Sequence, residues 1–478
     1  MPAPDLPSYS TLLNTPPASL QQMLSKFKSH RDTLTSKIVA LRAELSQATI
    51  ERDTTDNAIL ELCSALSPIH RMPHDILYEI FSWMIPDGWG CQPAPWYLGH
   101  ISHSLRMAAL AFPPLWAQVM LRDHHGVRDL SRSRSRLAEH LLRSGNSLLT
   151  VNLSWSEKSS PGTGLLLEMI VSHCVRWKKL AFTVNGNAFD FEHRMAAAKG
   201  QLPHLHAVHN ISGRTIPLKM AELFLVAPKL HHVLLNDQGG SLLFPWKQIS
   251  RAYFEGEFTC WLRHLPQAHN LQHLVLNLES EAEDPSQRVL LPNLRCLKVS
   301  VWGLTYVTAP HLEYLKAAAC KLPEALAMLL RSECRLKLLC IRDSRDVGPV
   351  DVEDLVSVLR AVPTLASFLF TALPLDDDTD WYDYELNDLF IELAARDAAS
   401  GQFTLVPHLS TFVFGLHQNP FDDEAFATMA GSRMAAPSPH RLARLVIEDV
   451  HDSAPIASAL AIEWVDAEYL ETVGDEYF

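Results

Sequence analysis

The segment Pro292-Asn293-Leu294-Arg295-Cys296-Leu297-Lys298-Val299 carries the pattern that decides the fold of this chain. Its leucines follow the spacing Leu-x-x-Leu, and apolar and polar residues then alternate, which is typical of a β-strand with one buried face. The same pattern recurs in segments that begin at Pro203, Pro228, Pro245, Asn270, Pro310, Leu336, Pro363, Pro407 and Arg441. The chain therefore repeats one strand-forming unit over much of its length.

The spacing between these units predicts a strand followed by a return helix. Successive first leucines are separated by 18 residues (Leu294 to Leu312) up to 29 residues (Leu336 to Leu365) over most of the run. The stretches between strands predict helices, as at 217–227, 323–330 and 350–361. The pattern resembles irregular leucine-rich repeats, whose stacked strand–helix units form a solenoid with a curved strand face. The resemblance implies an α/β fold with a leucine-rich-repeat-like domain at 148–460; a non-repetitive α/β domain is the alternative.

A shorter stretch, from Pro68 to Trp116, predicts two amphipathic helices outside the repeats. The first follows Met72-Pro73 and places four apolar side chains on one face, namely Ile76, Leu77, Ile80 and Phe81. The second is predicted from Leu98 to Ala111. Two helices of this length cannot bury their apolar faces on each other alone. They need a partner surface, which belongs either to the rest of this chain or to another protein.

The order of parts in this stretch resembles an F-box, the helical module that docks onto a Skp-type adaptor of a cullin ubiquitin ligase. The family pattern Leu-Pro-x-Glu-Ile-Leu is represented here from Met72 to Leu77, and Val-Cys-x-x-Trp-Arg from Ile101 to Arg106. The chain departs from the family in having Ser102 in place of Cys and Leu105 in place of Trp. The resemblance implies an adaptor-binding surface made of Pro73, Ile76, Leu77, Ile80, Phe81, Ile101 and Leu105.

A heptad pattern precedes the F-box-like segment and predicts a coiled-coil helix at 18–67. Core positions follow alternating steps of four and three from Leu20 to Leu66, with no Pro or Gly in between, and all are apolar except Arg31, Arg52 and Thr55. The pattern weakens from Ala48 to Thr55, where a break or hairpin is an alternative. The helix either remains solvated or self-associates through residues 18–66. A long helix followed by an F-box resembles an arrangement common among mushroom-forming fungi.

Composition, charge and local patterns indicate possible partners and predict the remaining segments of the chain. The net charge of −13 over 478 residues disfavours wholesale binding to nucleic acid or anionic membranes. Residues 1–17, rich in Pro and Ser, are predicted to be disordered. The F-box-like domain is predicted at 68–122, a joint at 123–147 with the first strand of the repeats starting near Leu148, and a C-terminal tail at 461–478. The basic run from Arg128 to Arg143 is interpreted as a solvated stretch beside a helix, with nuclear import or phosphorylation as alternatives.

No motif in the sequence indicates catalysis. There is no P-loop, Gly-x-Gly-x-x-Gly, Gly-x-Ser-x-Gly or His-Glu-x-x-His motif. The chain has 23 histidines, and pairs such as His204/His206 could supply metal ligands, but no Cys or Asp stands at a matching spacing and many of the histidines fill the variable positions of the repeats. We therefore predict a protein that is not an enzyme, with no cofactor and no metal; a hydrolase with a scattered active site is a weaker alternative.

The expected location is the cytoplasm, the nucleus or both. The eight cysteines are scattered without a Cys-x-x-Cys pair, as in proteins of reducing compartments. The N-terminus lacks the features of a signal peptide, and no apolar run reaches the length of a membrane helix.

The F-box resemblance implies the function of a non-catalytic substrate receptor in a Skp–cullin–F-box ubiquitin ligase. Its partners would be the adaptor, through it a cullin, and a target protein bound by the repeats. The target-binding residues are unknown from sequence, because such a face has no transferable code. The alternative is an interaction scaffold outside the ligase, built from the coiled coil and the repeats.

Overall fold

The computed structural model divides the chain into two compact units. The described residues are 16–85, 95–122, 130–156, 161–185, 189–210, 222–236, 242–256, 264–278, 288–342, 351–372, 386–416, 423–448 and 463–465. The first unit comprises Met1–Phe81 with Leu98–Ala108, and the second comprises Ser82–Tyr97 with Ala109–Phe478. The described part of the first unit is helical, whereas that of the second is built around a parallel sheet.

The first unit begins with one long helix, α1, from Pro17 to Leu66. It continues through 48–55, so the break considered there is not present. Its length of 50 residues corresponds to about 75 Å at the helical rise of about 1.5 Å per residue. The segment predicted to be disordered, 1–17, lies outside the described residues as far as position 15, and Pro17 is already helical.

Three short helices make up the F-box-like segment: α2 His74–Trp83, α3 Leu98–Ile101 and α4 His103–Leu110. The single helix predicted from Leu98 to Ala111 is therefore wrong, since the chain breaks at Ser102. The hydroxyl of Ser102 accepts a hydrogen bond from the backbone N–H of Leu105 at 3.2 Å, which caps the first turn of α4. A serine at this position starts a new helix rather than continuing the old one.

The described part of the second unit contains sixteen β-strands. They are β1 Gln118–Arg122, β2 Leu149–Ser156, β3 Trp177–Asn185, β4 Ala207–Asn210, β5 His232–Leu235, β6 Arg251–Gly256, β7 His273–Leu278, β8 Val289–Leu290, β9 Cys296–Val299, β10 Val307–Thr308, β11 Tyr314–Ala318, β12 Leu338–Arg342, β13 Ser367–Ala372, β14 Thr411–Leu416, β15 Arg444–Glu448 and β16 Glu463–Val465. Fourteen form one parallel sheet whose strand order follows the chain, while β8 and β10 pair separately.

Helices and short turns connect these strands. The helices are α5 Leu130–Arg143, α6 Pro161–Val171, α7 Phe189–Met195, α8 Leu322–Ser332, α9 Val352–Ala361, α10 Asn387–Ala394 and α11 Asp423–Met434. Their starts follow local signals. At α9, the carboxylate of Asp351 accepts hydrogen bonds from the backbone N–H groups of Glu353 at 2.8 Å and Asp354 at 3.4 Å.

One apolar core joins the helices to one face of the sheet. It includes Phe182 and Leu274 from strands and Ile170, Met328 and Phe426 from helices. The strands of the main sheet follow one another in chain order, and side chains from the helices pack with those on one of its faces. We call the opposite side of the sheet the far face. The predicted α/β class, with a long N-terminal helix, is confirmed.

Several boundaries differ from those expected. The first strand is β1 at Gln118–Arg122, inside the predicted F-box range, because it pairs in register with Thr150 to Ser154 of β2. The predicted joint at 123–147 contains α5. Of the helix predicted at 217–227, positions 222–226 form turns and the earlier part lies outside the described residues. The predicted tail contributes β16, which pairs with β15.

Replacing Gly303 by alanine is expected to destabilise the sheet unit by about 2 kcal/mol, because its φ of +123° is a conformation that other residues rarely adopt. An added Cβ would also lie 2.7 Å from Cδ1 of the buried Leu276. The control is Gly200→Ala, where φ is +74° and no atom lies within 4 Å of the new Cβ. Thermal denaturation of both variants measures the difference. An equal loss of stability in both variants would show that the contact with Leu276 does not contribute to the destabilisation.

Candidate interaction surfaces

The seven predicted adaptor-binding residues fall into two groups by exposure. Ile76, Ile80 and Ile101 are 47%, 39% and 61% exposed, and Pro73 is also exposed. The other three, Leu77, Phe81 and Leu105, are only 1–2% exposed. All seven lie in the first unit. In this conformation the exposed residues offer apolar surface to a partner, whereas the three buried ones stabilise the folded segment and have no free surface.

The alternation of exposed and buried residues follows from helix geometry. Side chains three or four positions apart share a face, so Leu77 and Phe81 lie on one face and Ile76 and Ile80 on the next. The helix α2 is thus apolar on two adjoining faces, of which only one is covered. Exposed apolar residues at consecutive helical spacing are typical of a helix that packs against a partner.

The long helix α1 also exposes apolar side chains along its length. Leu34, Ile38 and Leu41 are between 46% and 53% exposed, and they occupy successive positions of the heptad seam. Polar residues stabilise the helix surface, as in the ion pair of Arg52 with Asp53 at 2.6 Å. The apolar seam therefore has the pattern of a coiled-coil interface.

The basic run predicted to be solvated is largely the helix α5, and part of it is structural. The guanidinium of Arg143 lies 4.5 Å from the ring centroid of Trp96 and 4.6 Å from that of Trp116. The Nε1 of the buried Trp116 donates to the backbone oxygen of Ala109 at 2.7 Å. Arg143 therefore contributes cation–π packing in the second unit, while Arg134 on the same helix is exposed.

A row of basic and imidazole side chains extends across neighbouring strands on the far face, from β3 to β7. Strand register places Lys179, Ala207, His232, Arg251 and His273 side by side on β3 to β7. The residue that follows each of them belongs to the helix-side core, so the row faces the other way. We call Lys179, His232, Arg251 and His273 the cationic row. The sequence signal was present, because each is the second variable residue of an apolar-x-x-apolar motif.

The imidazoles of this region are held neutral. Burial lowers the pKa of His209, on β4, from 6.5 to about 4. The pKa of His232 is also lowered from 6.5 to about 4, first by burial and then by the charges of Arg251 and other basic groups. Burial and the charges of Arg251 and Arg295 lower the pKa of His273 as well. At neutral pH the positive charges here are therefore those of lysine and arginine.

Lowering the pH from 7.5 to 5 is expected to destabilise the sheet through His209 and His232. Both titrate near 6.5 when unfolded but only at about 4 when folded. The unfolded state thus binds more protons between these values, so stability is constant above the window and decreases as the pH falls through it. Because both side chains are partly exposed, we expect about 1 kcal/mol from each at pH 5.

Thermal denaturation at the two pH values tests this effect. The double variant His209→Asn/His232→Asn should lose less stability on acidification than the natural chain. An equal acid-induced loss in both proteins would assign the effect to other groups.

Towards the C-terminal strands, the far face becomes apolar. A small apolar cluster there contains Leu338, Cys340, Leu369, Val413 and Val446, and all five are buried. Beside the starts of β9, β11 and β12, a cavity of 480 Å³ is lined by polar and charged residues that include Arg295, Glu313, Arg335 and Lys337. The far face is therefore apolar at the centre of β12 to β15, whereas it carries the cationic row at β3 to β7.

Within the described ranges, no three His, Cys, Asp or Glu side chains come together as a metal-binding group. No helix of that part of the chain has both the length and the hydropathy needed to cross a bilayer. Comparison with protein-family models gives no match to the chain. A search of curated proteins also finds no matching sequence.

Proposed function

We propose that this protein is a substrate receptor of a Skp–cullin–F-box ubiquitin ligase. The observation that carries the proposal is the uncovered apolar surface of Ile76, Ile80 and Ile101 in a segment that has the F-box order of parts. An apolar groove on an adaptor would bury these side chains, and each isoleucine that becomes buried contributes about 1–3 kcal/mol. The protein itself would perform no chemistry.

The sheet unit would bind the target in this function. We propose that its strand–helix units form an irregular leucine-rich-repeat solenoid, because the fourteen strands of the main sheet follow one another in chain order. Such a unit presents one strand face for binding. Holding a target near a ubiquitin-loaded enzyme raises the effective concentration of its lysines, which accelerates transfer by proximity. This role places the protein in the cytoplasm, the nucleus or both.

Co-expression with a Skp-type adaptor and a cullin tests the proposal. The expected result is a stoichiometric complex of all three proteins on gel filtration. Recovery of the adaptor without the cullin would favour the alternative, an interaction scaffold outside the ligase. Failure to recover the adaptor would remove the proposal.

We further propose that α1 pairs with a second copy of itself. A helical fragment covering Pro17 to Leu66 is expected to be a dimer by light scattering, because pairing buries the heptad seam. Leu34→Asp together with Leu41→Asp places charges in the seam and should shift the fragment to a monomer. Control substitutions at Lys37 and Glu44, which lie outside the seam, should leave the dimer intact. A helical monomer of the unaltered fragment would show that α1 is a solvated single helix.

A further inference from the structure

The charge of the cationic row is concentrated at Arg251. This side chain is exposed and forms no ion pair with the described residues. Imidazoles flank it on both sides, from His232 on β5 and His273 on β7. A buried Nδ1 of His273 has no hydrogen-bond partner within the described part of the protein. The row therefore presents one accessible cation between two imidazole rings.

Other cations extend the same positive region. Lys179 occupies the equivalent position on β3, and the exposed Arg295 immediately precedes β9, the strand that pairs with β7. Burial is the main cause of the lowered pKa values of His232 and His273, and the charge of Arg251 lowers both further. The far face therefore carries a group of positive charges on β3 to β9, although the whole chain has a net charge of −13.

The distances along the row match those within an extended peptide. Lys179 and Arg251 are three strand positions apart, or about 14 Å at a spacing of about 4.8 Å between strands. Residues i and i+4 of an extended chain project to the same side and lie about 13 Å apart. Two carboxylates four residues apart in a peptide lying across the strands would therefore reach both cations.

We infer that the cationic row binds an acidic segment of the target protein, with Asp or Glu side chains four residues apart facing Lys179 and Arg251. This inference names the class of target and rests on the proposed function for the identity of the ligand as a target. Recognition is electrostatic at the two ends of the segment.

The surroundings of the row favour a short acidic peptide over nucleic acid. Glu255 is exposed on β6, two positions beyond Tyr253, and Glu313 borders the region beside Arg295. These carboxylates would repel a continuous phosphate backbone that runs past the row. A peptide with isolated charges can place them at the cations and uncharged residues elsewhere. The cations are also spread one per strand rather than converging on one point, as an arginine cluster for a phosphoryl group would.

Fluorescence anisotropy with the full chain tests the inference. The probe is a labelled eight-residue peptide of Ser and Gly with Glu at positions 2 and 6, and the control peptide has Gln there. We expect the Glu peptide to bind at least 10-fold more tightly, with affinity that falls as salt increases. Arg251→Glu should weaken binding by about 10-fold, since the variant replaces attraction by repulsion. Arg134→Glu, the same change at an exposed site on α5, should alter affinity less than two-fold.

Each of three results would overturn the inference. They are equal affinity for the Glu and Gln peptides, equal losses in the two arginine variants, and tighter binding of an oligouridine or a phosphoserine peptide than of the Glu peptide. Adaptor binding, measured in parallel, separates this inference from the proposed function. Loss of peptide binding with the adaptor still bound removes only the inference. Peptide binding without adaptor binding supports the inference and removes the ligase role.

Discussion

Replacing Arg433 by methionine is expected to lower the local free energy of unfolding around α11 by about 4 kcal/mol. The side chain of Arg433 is fully buried. Its guanidinium donates from Nε to the backbone oxygen of Leu393 at 2.8 Å and from Nη2 to that of Leu405 at 2.6 Å. A third hydrogen bond runs from Nη1 to the oxygen of Val406 at 3.2 Å. Methionine fills much of the volume but removes one donor from each of the three carbonyls, of which that of Val406 still accepts from the backbone N–H of Leu409 at 3.2 Å.

Arg433 remains charged at neutral pH despite its burial. Burial and the nearby charge of Arg396 lower its pKa to about 10, which is still well above 7. The cation is stabilised by the three carbonyl dipoles and by the ring of Phe403, whose centroid lies 4.2 Å from Cζ. Because this environment is built around a cation, a neutral side chain cannot substitute for it.

Hydrogen exchange measures this effect locally. In Arg433→Met, amides of α10, α11 and β14 should exchange faster than in the natural chain, while those of β2 should be unchanged. The matched control is Arg360→Met, because Arg360 forms an exposed ion pair with Glu392 at 3.0 Å. Such a pair contributes at most about 1 kcal/mol. Similar exchange in both variants would contradict the structural role of Arg433.

The strands could be predicted from sequence, whereas the interior cation could not. The alternation from Leu271 to Leu276 predicts β7 because a strand with one buried face repeats every two residues. Arg433 belongs to a run of small and polar residues that gives no apolar signal. Its three acceptors lie 27 to 40 positions away along the chain, and no local pattern encodes such a contact.

The cationic row shows a similar limit. The sequence places His232 and His273 in variable positions of the repeats, which indicates that they face away from the core. It does not fix which strand pairs with which, or in what register. Only the pairing of β5, β6 and β7 brings Arg251 between the two imidazoles.

The sequence also could not predict which residues of the F-box-like segment are exposed. The apolar rhythm of α2 identifies Ile76, Leu77, Ile80 and Phe81 as one set. It does not distinguish the residues covered by the protein itself from those left exposed, because that depends on packing between segments distant in sequence. The structure separates the set into two adjoining faces.

Adaptor binding is expected to fall by at least about 100-fold in the double variant Ile76→Asp/Ile80→Asp, which corresponds to about 3 kcal/mol. Both side chains are partly exposed, so the substitution leaves the folded segment intact. It removes two apolar contacts worth about 1.5 kcal/mol each and places two carboxylates against an apolar groove, where they would be desolvated without a partner. Calorimetric titration with purified adaptor measures the change.

The control must preserve the fold and the type of substitution. Met107→Asp introduces the same charge at a residue that is 49% exposed, lies in the same unit and is absent from the family pattern. It should change adaptor affinity less than three-fold. Leu77→Asp/Phe81→Asp is unsuitable, because both residues are buried and charges there would unfold the segment. Circular dichroism should confirm that helicity is preserved in the exposed-face variants. Unchanged adaptor affinity in Ile76→Asp/Ile80→Asp would then show that the exposed face of α2 does not bind the adaptor.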